Sequence, residues 1–205
     1  MHSWMDLADW RRRTAELYLA EPRAGPEGAE AWRRGRDDLL RSHPQSPVPA
    51  AGRAGYPGAP YWPWNPGAVV TAALGPPPEG PDLAVDTGGD DGVLHYRRVG
   101  RLATPWGELT LFWLLAYGGG LFLPFRDATS GVADGPASYG GGRYLTDTVK
   151  GTFGRGVERL AGGEVVLDFN YAYNPSCAYD PGWACPLAPA ENRLAGAVEA
   201  GEQHA

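Results

Sequence analysis

Residues 93–125 read VLHYRRVGRLATPWGELTLFWLLAYGGGLFLPF, and this stretch decides the fold. Three apolar-rich runs, 93–103, 108–117 and 121–125, are separated by Thr104-Pro105-Trp106-Gly107 and by Gly118-Gly119-Gly120. Both connections carry glycine, which reaches the positive φ that tight hairpin turns require. Trp113 stands between Leu111 and Leu115 on one face and Phe112 and Leu114 on the other. That pattern predicts a strand buried on both sides, and therefore central in its sheet.

Similar runs continue outward at 68–74, 83–87, 143–147, 165–171 and 194–199, with Gly88-Gly89-Asp90-Asp91-Gly92 as a further hairpin connection. Short strands at this spacing predict an antiparallel meander. The 30 Gly and 20 Pro argue for many turns rather than long helices. The fold class is therefore α+β and mainly β, with a barrel-like or strongly bent antiparallel sheet.

Two helices precede it. Ser3 is a plausible N-cap for a helix over about 4–19 that ends before Pro22. A second helix runs from near Pro26, a favoured first-turn residue, and stops before His43-Pro44. This predicts a helical hairpin over residues 1–43, packed on a single mainly β domain over 44–205. The segment joining them, 44–66, reads PQSPVPAAGRAGYPGAPYWPWNP, whose prolines exclude regular pairing. Its aromatics Tyr56, Tyr61, Trp62 and Trp64 are expected to cover an open sheet edge or barrel mouth; the alternative is a stacking surface for a flat ligand.

Composition narrows the function classes. A net charge of −6 lacks the basic excess that neutralises phosphates, so nucleic acid is not an expected partner. The run Trp10-Arg11-Arg12-Arg13 has acidic neighbours Asp6, Asp9 and Glu16 and fits the solvated face of a helix. No apolar run approaches the ~20 residues of a membrane span, and Asp6 and Asp9 stand where a signal peptide would be basic and apolar. The expectation is a soluble, cytoplasmic protein with no membrane partner.

The polar residues cluster toward the C-terminus. If 165–171 is one strand, alternation aims Asp168 and Asn170 at the same face. A buried carboxylate there needs partners, and Arg126 and Arg143 can supply paired donors.

Several strings in this region carry a family resemblance: LFLPFRDATSG (121–131), YGGGRYL (139–145), LDFNYAYNPSCAY (167–179) and CPLAPAENRL (185–194), followed by Glu199-Ala200-Gly201-Glu202. In order and spacing they resemble the bacterial and archaeal family called domain of unknown function 1684, from the Ser46-Pro47 pair to the end of the chain. The resemblance implies a compact, mainly β domain and no particular reaction or cofactor. Gly196 departs from it, since a larger apolar residue is expected there, and a weaker final strand would follow.

The candidate ligand-binding set is Arg126, Asp127, Arg143, Asp168, Asn170, Asn174, Glu191 and Asn192. One reading is a small-molecule site, with catalysis as an option, in which Asp168 or Asp127 is a base or acceptor and an arginine binds an anionic group. The other is a structural network, because Asx residues satisfy turn amides and arginines pair with acids in many inert proteins. A non-catalytic domain whose helical hairpin binds a partner or a second copy is also compatible with the pattern. Cys177 and Cys185 have seven residues between them, unlike a metal knuckle, and only His95 among the histidines falls in a strand-like run. Packing together, or one disulfide, accounts for the pair better than cysteine catalysis, and no metal site is expected.

Overall fold

The computed structural model describes residues 3–21, 24–89 and 92–204. Helix α1 spans Trp4–Leu19; Ser3 Oγ accepts the Asp6 amide while the Asp6 carboxylate accepts the Ser3 amide, a reciprocal cap. Helix α2 spans Gly25–Ser42, with Pro26 in its first turn. It buries Ala29, Trp32, Leu39 and Leu40.

Eight strands follow: β1 Val69–Gly75, β2 Leu83–Asp86, β3 Val93–Thr104, β4 Gly107–Leu114, β5 Gly120–Phe125, β6 Arg143–Asp147, β7 Val157–Arg159 and β8 Glu164–Asp168. They form one antiparallel sheet in the order β6-β5-β4-β3-β1-β8-β7, with β2 also on β3. A bulge between Arg98 and Gly100 bends β3. Its first half pairs with β2 and its second half with β1. Gly100 sits at the bend because any Cβ there would collide with the Leu74 side chain.

The bent sheet, nearly closed on itself, carries two cores. One is aliphatic and contains Leu102, Leu109, Leu111, Leu123, Leu145 and Leu167 with Phe125 and Phe169. The other is aromatic and joins Tyr18 of α1 and Trp32 of α2 to Tyr96, Phe112, Phe122, Tyr144 and Tyr173. Alternation along β4 explains the division: Leu109 and Leu111 enter the first core and Phe112 the second.

The expected central strand is central, between β3 and β5, yet Trp113 itself is 39% exposed. β4 also stops at Leu114, leaving Tyr117 in the turn and fully exposed. Residues 90 and 91 of the expected 88–92 connection lie outside the described residues. In the 44–66 segment Trp62 is buried, and Tyr61 bridges to Glu202 near the C-terminus.

Two expected strands are corrected. The run 165–171 ends as a strand at Asp168, and Phe169–Tyr171 is a 3-10 turn. The Asp168 carboxylate accepts the Asn170 amide, a local turn that competes with continued pairing. The run 194–199 is not a strand: Leu194 N donates to Arg126 O, Ala195 N to Trp106 O and Ala128 N to Gly196 O, so its backbone partners are scattered over separate segments, and from Val198 onward side chains take their place. The Val198 amide donates to Asp127, and the Val198 and Ala200 carbonyls accept from Arg143. Gly196 is explained by the same segment: a Cβ would lie 2.6 Å from Trp106, so the larger apolar residue would not fit.

Candidate functional site

Asp127 follows β5, and Arg143 opens β6 opposite Phe125. Their side chains meet at 3.3 Å with no solvent exposure. Asp127 also accepts from Thr129, Ser130 and Ser138 hydroxyls and from the Val198 amide at 2.6 Å. Arg143 donates to the carbonyls of Val198 (2.9 Å), Ala200 (2.5 Å) and Glu202 (3.3 Å), and its guanidinium lies against Trp62 and Phe125. Burial pushes the Arg143 pKa down, and Asp127 opposes that shift. This pair is a clasp that holds the C-terminal segment on the sheet; Arg143 Nε is buried without a partner, and neither side chain lines the cleft described below.

Other candidates are fastened elsewhere. Asn192 is fully buried; its amide exchanges hydrogen bonds with the Thr110 backbone and donates to Pro124 O, strapping its turn across β4 and β5. Asn170 does the same for Asn65, accepting its N–H at 2.8 Å and donating to its carbonyl at 2.9 Å, while also donating to Asp168. Burial raises the Asp168 pKa against the opposing pull of Asn170 and the more distant Arg155 and Arg33. Glu191 forms a surface ion pair with Arg98 at 2.6 Å. Arg126 is half-buried, and its Nε has no hydrogen-bond partner. The eight candidates therefore do not form one pocket, although Asp127 meets Arg143 and Asp168 meets Asn170.

Asn174 alone among them lines a cleft of about 310 Å³ between the proline-rich segment and the C-terminal residues. Val48, Pro49, Pro57 and Pro60 supply apolar walls; Tyr56, Asn174, Tyr179 and Glu202 supply polar atoms. Glu202 is 1% exposed. It accepts from Arg36 at 2.9 Å, from the Asn174 amide and side chain at 3.0 and 3.1 Å, and from the Tyr179 hydroxyl. Arg36 also donates to Tyr179 at 3.1 Å. Burial drives the Tyr179 phenol well above its ordinary pKa, so its proton stays in place at neutral pH. Burial opposes the Arg36 charge, but Tyr179 and Glu202 outweigh it and hold the guanidinium protonated.

Glycine delivers Glu202 to this place. Gly201 has φ +76°, and a Cβ there would lie 2.6 Å from Ala172 O and 2.7 Å from Phe169 O. Its neighbours are pinned too: Gly201 O accepts from Trp62 N, Glu202 N donates to Ala172 O, and Gln203 N donates to Pro60 O.

Two polar atoms of the cleft residues are buried without a partner. Asn174 donates through Nδ2 to Glu202 Oε1 and Gln203 O, both acceptors, which fixes the amide orientation and leaves Oδ1 unpaired. Tyr56 Oη approaches Tyr179 without a hydrogen bond of normal geometry. Asn174 and Tyr179 also line a smaller cavity of about 50 Å³ behind the cleft. Of the residues that sequence reasoning did not single out, Arg36 had a readable signal. It lies midway between Trp32 and Leu40 at helical spacing, an arginine inside an apolar stripe.

The comparisons with known proteins agree with this architecture. The solution NMR structure of the uncharacterized protein from gene locus rrnAC0354 of Haloarcula marismortui is 34% identical, covering 85% of this chain and 91% of that one at a TM-score of 0.56. A search of curated proteins finds no match. The family described as "Protein of unknown function (DUF1684)" matches residues 54–203, the segment that builds the sheet, the clasp and most of the cleft, and the chain belongs to that family.

Proposed function

We propose that the protein binds a small, uncharged organic molecule in the Tyr56–Asn174–Tyr179–Glu202 cleft. The observation that carries this reading is the pairing of apolar walls with two unpaired polar atoms, Asn174 Oδ1 and Tyr56 Oη. Ligand pockets combine apolar lining with a few such orienting groups, and about 310 Å³ lies at the small end of their usual range. Asn174 Oδ1 asks for a donor, so the ligand carries an N–H or O–H group. Glu202 is already balanced by Arg36, so a further ionic group would enter without a counter-charge. An anionic ligand is disfavoured as well, because the Arg36 Nη2 that reaches the cleft residues is spent on Glu202 and Tyr179.

Native mass spectrometry of freshly purified protein tests this directly. A retained mass that disappears in Ala178→Phe, which fills the cleft, is the expected result. The absence of both a retained mass and any thermal stabilisation by a panel of small neutral amides and alcohols would sink the reading.

A second reading is that α1 carries a contact with a partner or with another copy of the chain. Trp4 is 86% exposed and Met5 78%, whereas Trp10 is half-buried with its ring edge against His43. Sedimentation that is independent of concentration and unchanged by Trp4→Ser would remove the homodimer version. The remaining context is consistent with either reading. The net charge of −6 disfavours nucleic acid, no helix among the described residues is long and apolar enough to cross a membrane, and two free thiols suit a reducing cytoplasm.

A further inference from the structure

The two cysteines stand outside the clasp and the cleft-lining set, and their surroundings differ from those of inert core thiols. Cys177 lies in the 3-10 turn Ser176–Ala178, and its backbone N–H points at Cys185 Sγ at 3.3 Å. Both residues are partly exposed and both thiols are free. Cys185 is anchored through its neighbour, since Pro186 O accepts the Tyr144 hydroxyl at 2.5 Å. On the other side, the loop between the cysteines is held by Asp180, whose carboxylate accepts the Gly182 amide and whose carbonyl accepts the Trp183 amide. The two sulfurs are thus held together by a folded loop before any bond forms between them.

The local charges favour one thiolate. Besides the Cys177 N–H, the positive charge that acts on Cys185 is the Lys150 ammonium, which lies 5.5 Å from the centre of the Tyr144 ring, the ring whose hydroxyl binds Pro186 O. Lys150 also pairs with Asp147 at 3.4 Å. Interaction with Cys177 lowers the Cys185 pKa against the effect of burial, with Lys150 helping, and the same interaction raises Cys177. A thiolate beside a protonated thiol is the arrangement of an attacking sulfur with a resolving partner.

We propose that Cys185 and Cys177 form a peroxide-reactive dithiol, Cys185 attacking a small hydroperoxide and Cys177 resolving the product. In the first step Cys185 Sγ bonds to one peroxide oxygen, the O–O bond breaks, and the leaving oxygen takes a proton to depart as an alcohol or, from hydrogen peroxide, as water. Cys185 is then a sulfenic acid. In the second step Cys177 Sγ attacks that sulfur, the S–O bond breaks, and the hydroxyl leaves with the Cys177 proton as water. The two thiols have lost two electrons to the peroxide, and a dithiol reductant restores them by exchange. Partial burial of both sulfurs favours a peroxide over a bulky disulfide as oxidant. The site is independent of whatever occupies the cleft.

The full-length protein is treated with hydrogen peroxide and analysed by intact mass and peptide mapping. The expected product is a monomer lighter by two hydrogen atoms, with a Cys177–Cys185 link that dithiothreitol reverses. In Cys177→Ser the reaction stops at the sulfenic acid, and dimedone labels Cys185; in Cys185→Ser labelling falls by about tenfold or more. Mapping of the unsubstituted protein needs no variant to fold. Two thiols that survive excess peroxide, oxidation to sulfinic acid without a link, or dimedone label on Cys177 in preference to Cys185 would each overturn the assignment.

Discussion

The Asp127–Arg143 clasp and the Glu202–Arg36 pair are both carboxylate–guanidinium contacts that fasten the C-terminal segment, yet they differ in what lies beside them. In the clasp, the charged atoms bind three hydroxyls, one amide and three carbonyls, neither side chain is exposed, and the one atom left unpaired, Arg143 Nε, does not line the cleft. Around Glu202 the charges are balanced, but Asn174 Oδ1 and Tyr56 Oη remain unpaired beside a cleft. The comparison teaches that burial of an ion pair does not mark a site. What marks one is hydrogen-bonding capacity left over on residues that line a cavity.

The largest expected effect breaks the clasp. Arg143→Met leaves Asp127 charged and buried without its cation and frees three carbonyls, and should cost about 3–5 kcal/mol in urea denaturation. A loss below about 1 kcal/mol would mean that the pair is not what holds residues 196–202 to the sheet. Glu202→Gln should cost less, about 1–3 kcal/mol, because the amide can still accept from Arg36 and Arg36 keeps Tyr179. If both variants lose equal stability, the distinction between closed clasp and open pair fails.

Tyr56→Phe sharpens the contrast from the other side. Its hydroxyl satisfies nothing in the fold, so stability should stay within about 0.5 kcal/mol of the parent while retention of the cleft ligand in native mass spectrometry falls. Its counterpart in the clasp, Thr129→Val, removes a hydroxyl that Asp127 accepts at 3.0 and 3.1 Å, and should cost about 1 kcal/mol with no effect on ligand. A destabilised Tyr56→Phe would show that the phenol is structural after all.

The helices and strands were legible in the sequence because local rules govern them. Ser3 and Pro26 mark helix starts, and period-two patterning together with glycine turns marks β3, β4 and β5. β7 was not legible, being three residues long with no apolar pattern of its own. The residues 194–199 look like a strand because their apolar positions do fill the core, at Leu194 and Val198, but their backbone pairs with isolated groups of Arg126, Trp106 and Ala128 and, at Val198, with the side chains of Asp127 and Arg143. Such side-chain substitution for a ladder is a tertiary event that no period reveals. Candidate residues were legible by type and not by grouping. Asn170 and Asn192 each clamp a backbone peptide more than sixty positions away, a pairing that depends on the completed sheet. Arg36 and Glu202 come from opposite ends of the chain and meet only when α2 packs beside the C-terminal turn.

Asp168 is the smallest and most discriminating case, because it is a partly buried carboxylate with neither a clasp nor a cleft. No salt bridge reaches it among the described residues, and Asn170 alone donates to it. Burial raises its folded pKa above the usual aspartate value, so between the unfolded and folded pKa values the folded state binds more protons than the unfolded state. Its contribution to stability is therefore greatest at acid pH and declines as pH rises through the folded pKa, the reverse of a salt-bridged carboxylate. Asparagine keeps the oxygen that accepts from Asn170 and caps a turn about as well as aspartate. Asp168→Asn should consequently match or slightly exceed the parent in stability at neutral pH, within about 0.5 kcal/mol, and lose the parent's decline between acid and neutral pH. Urea denaturation at both pH values checks this, and a variant clearly weaker at neutral pH would mean that the ionised carboxylate has a partner of the kind that Asp127 and Glu202 have.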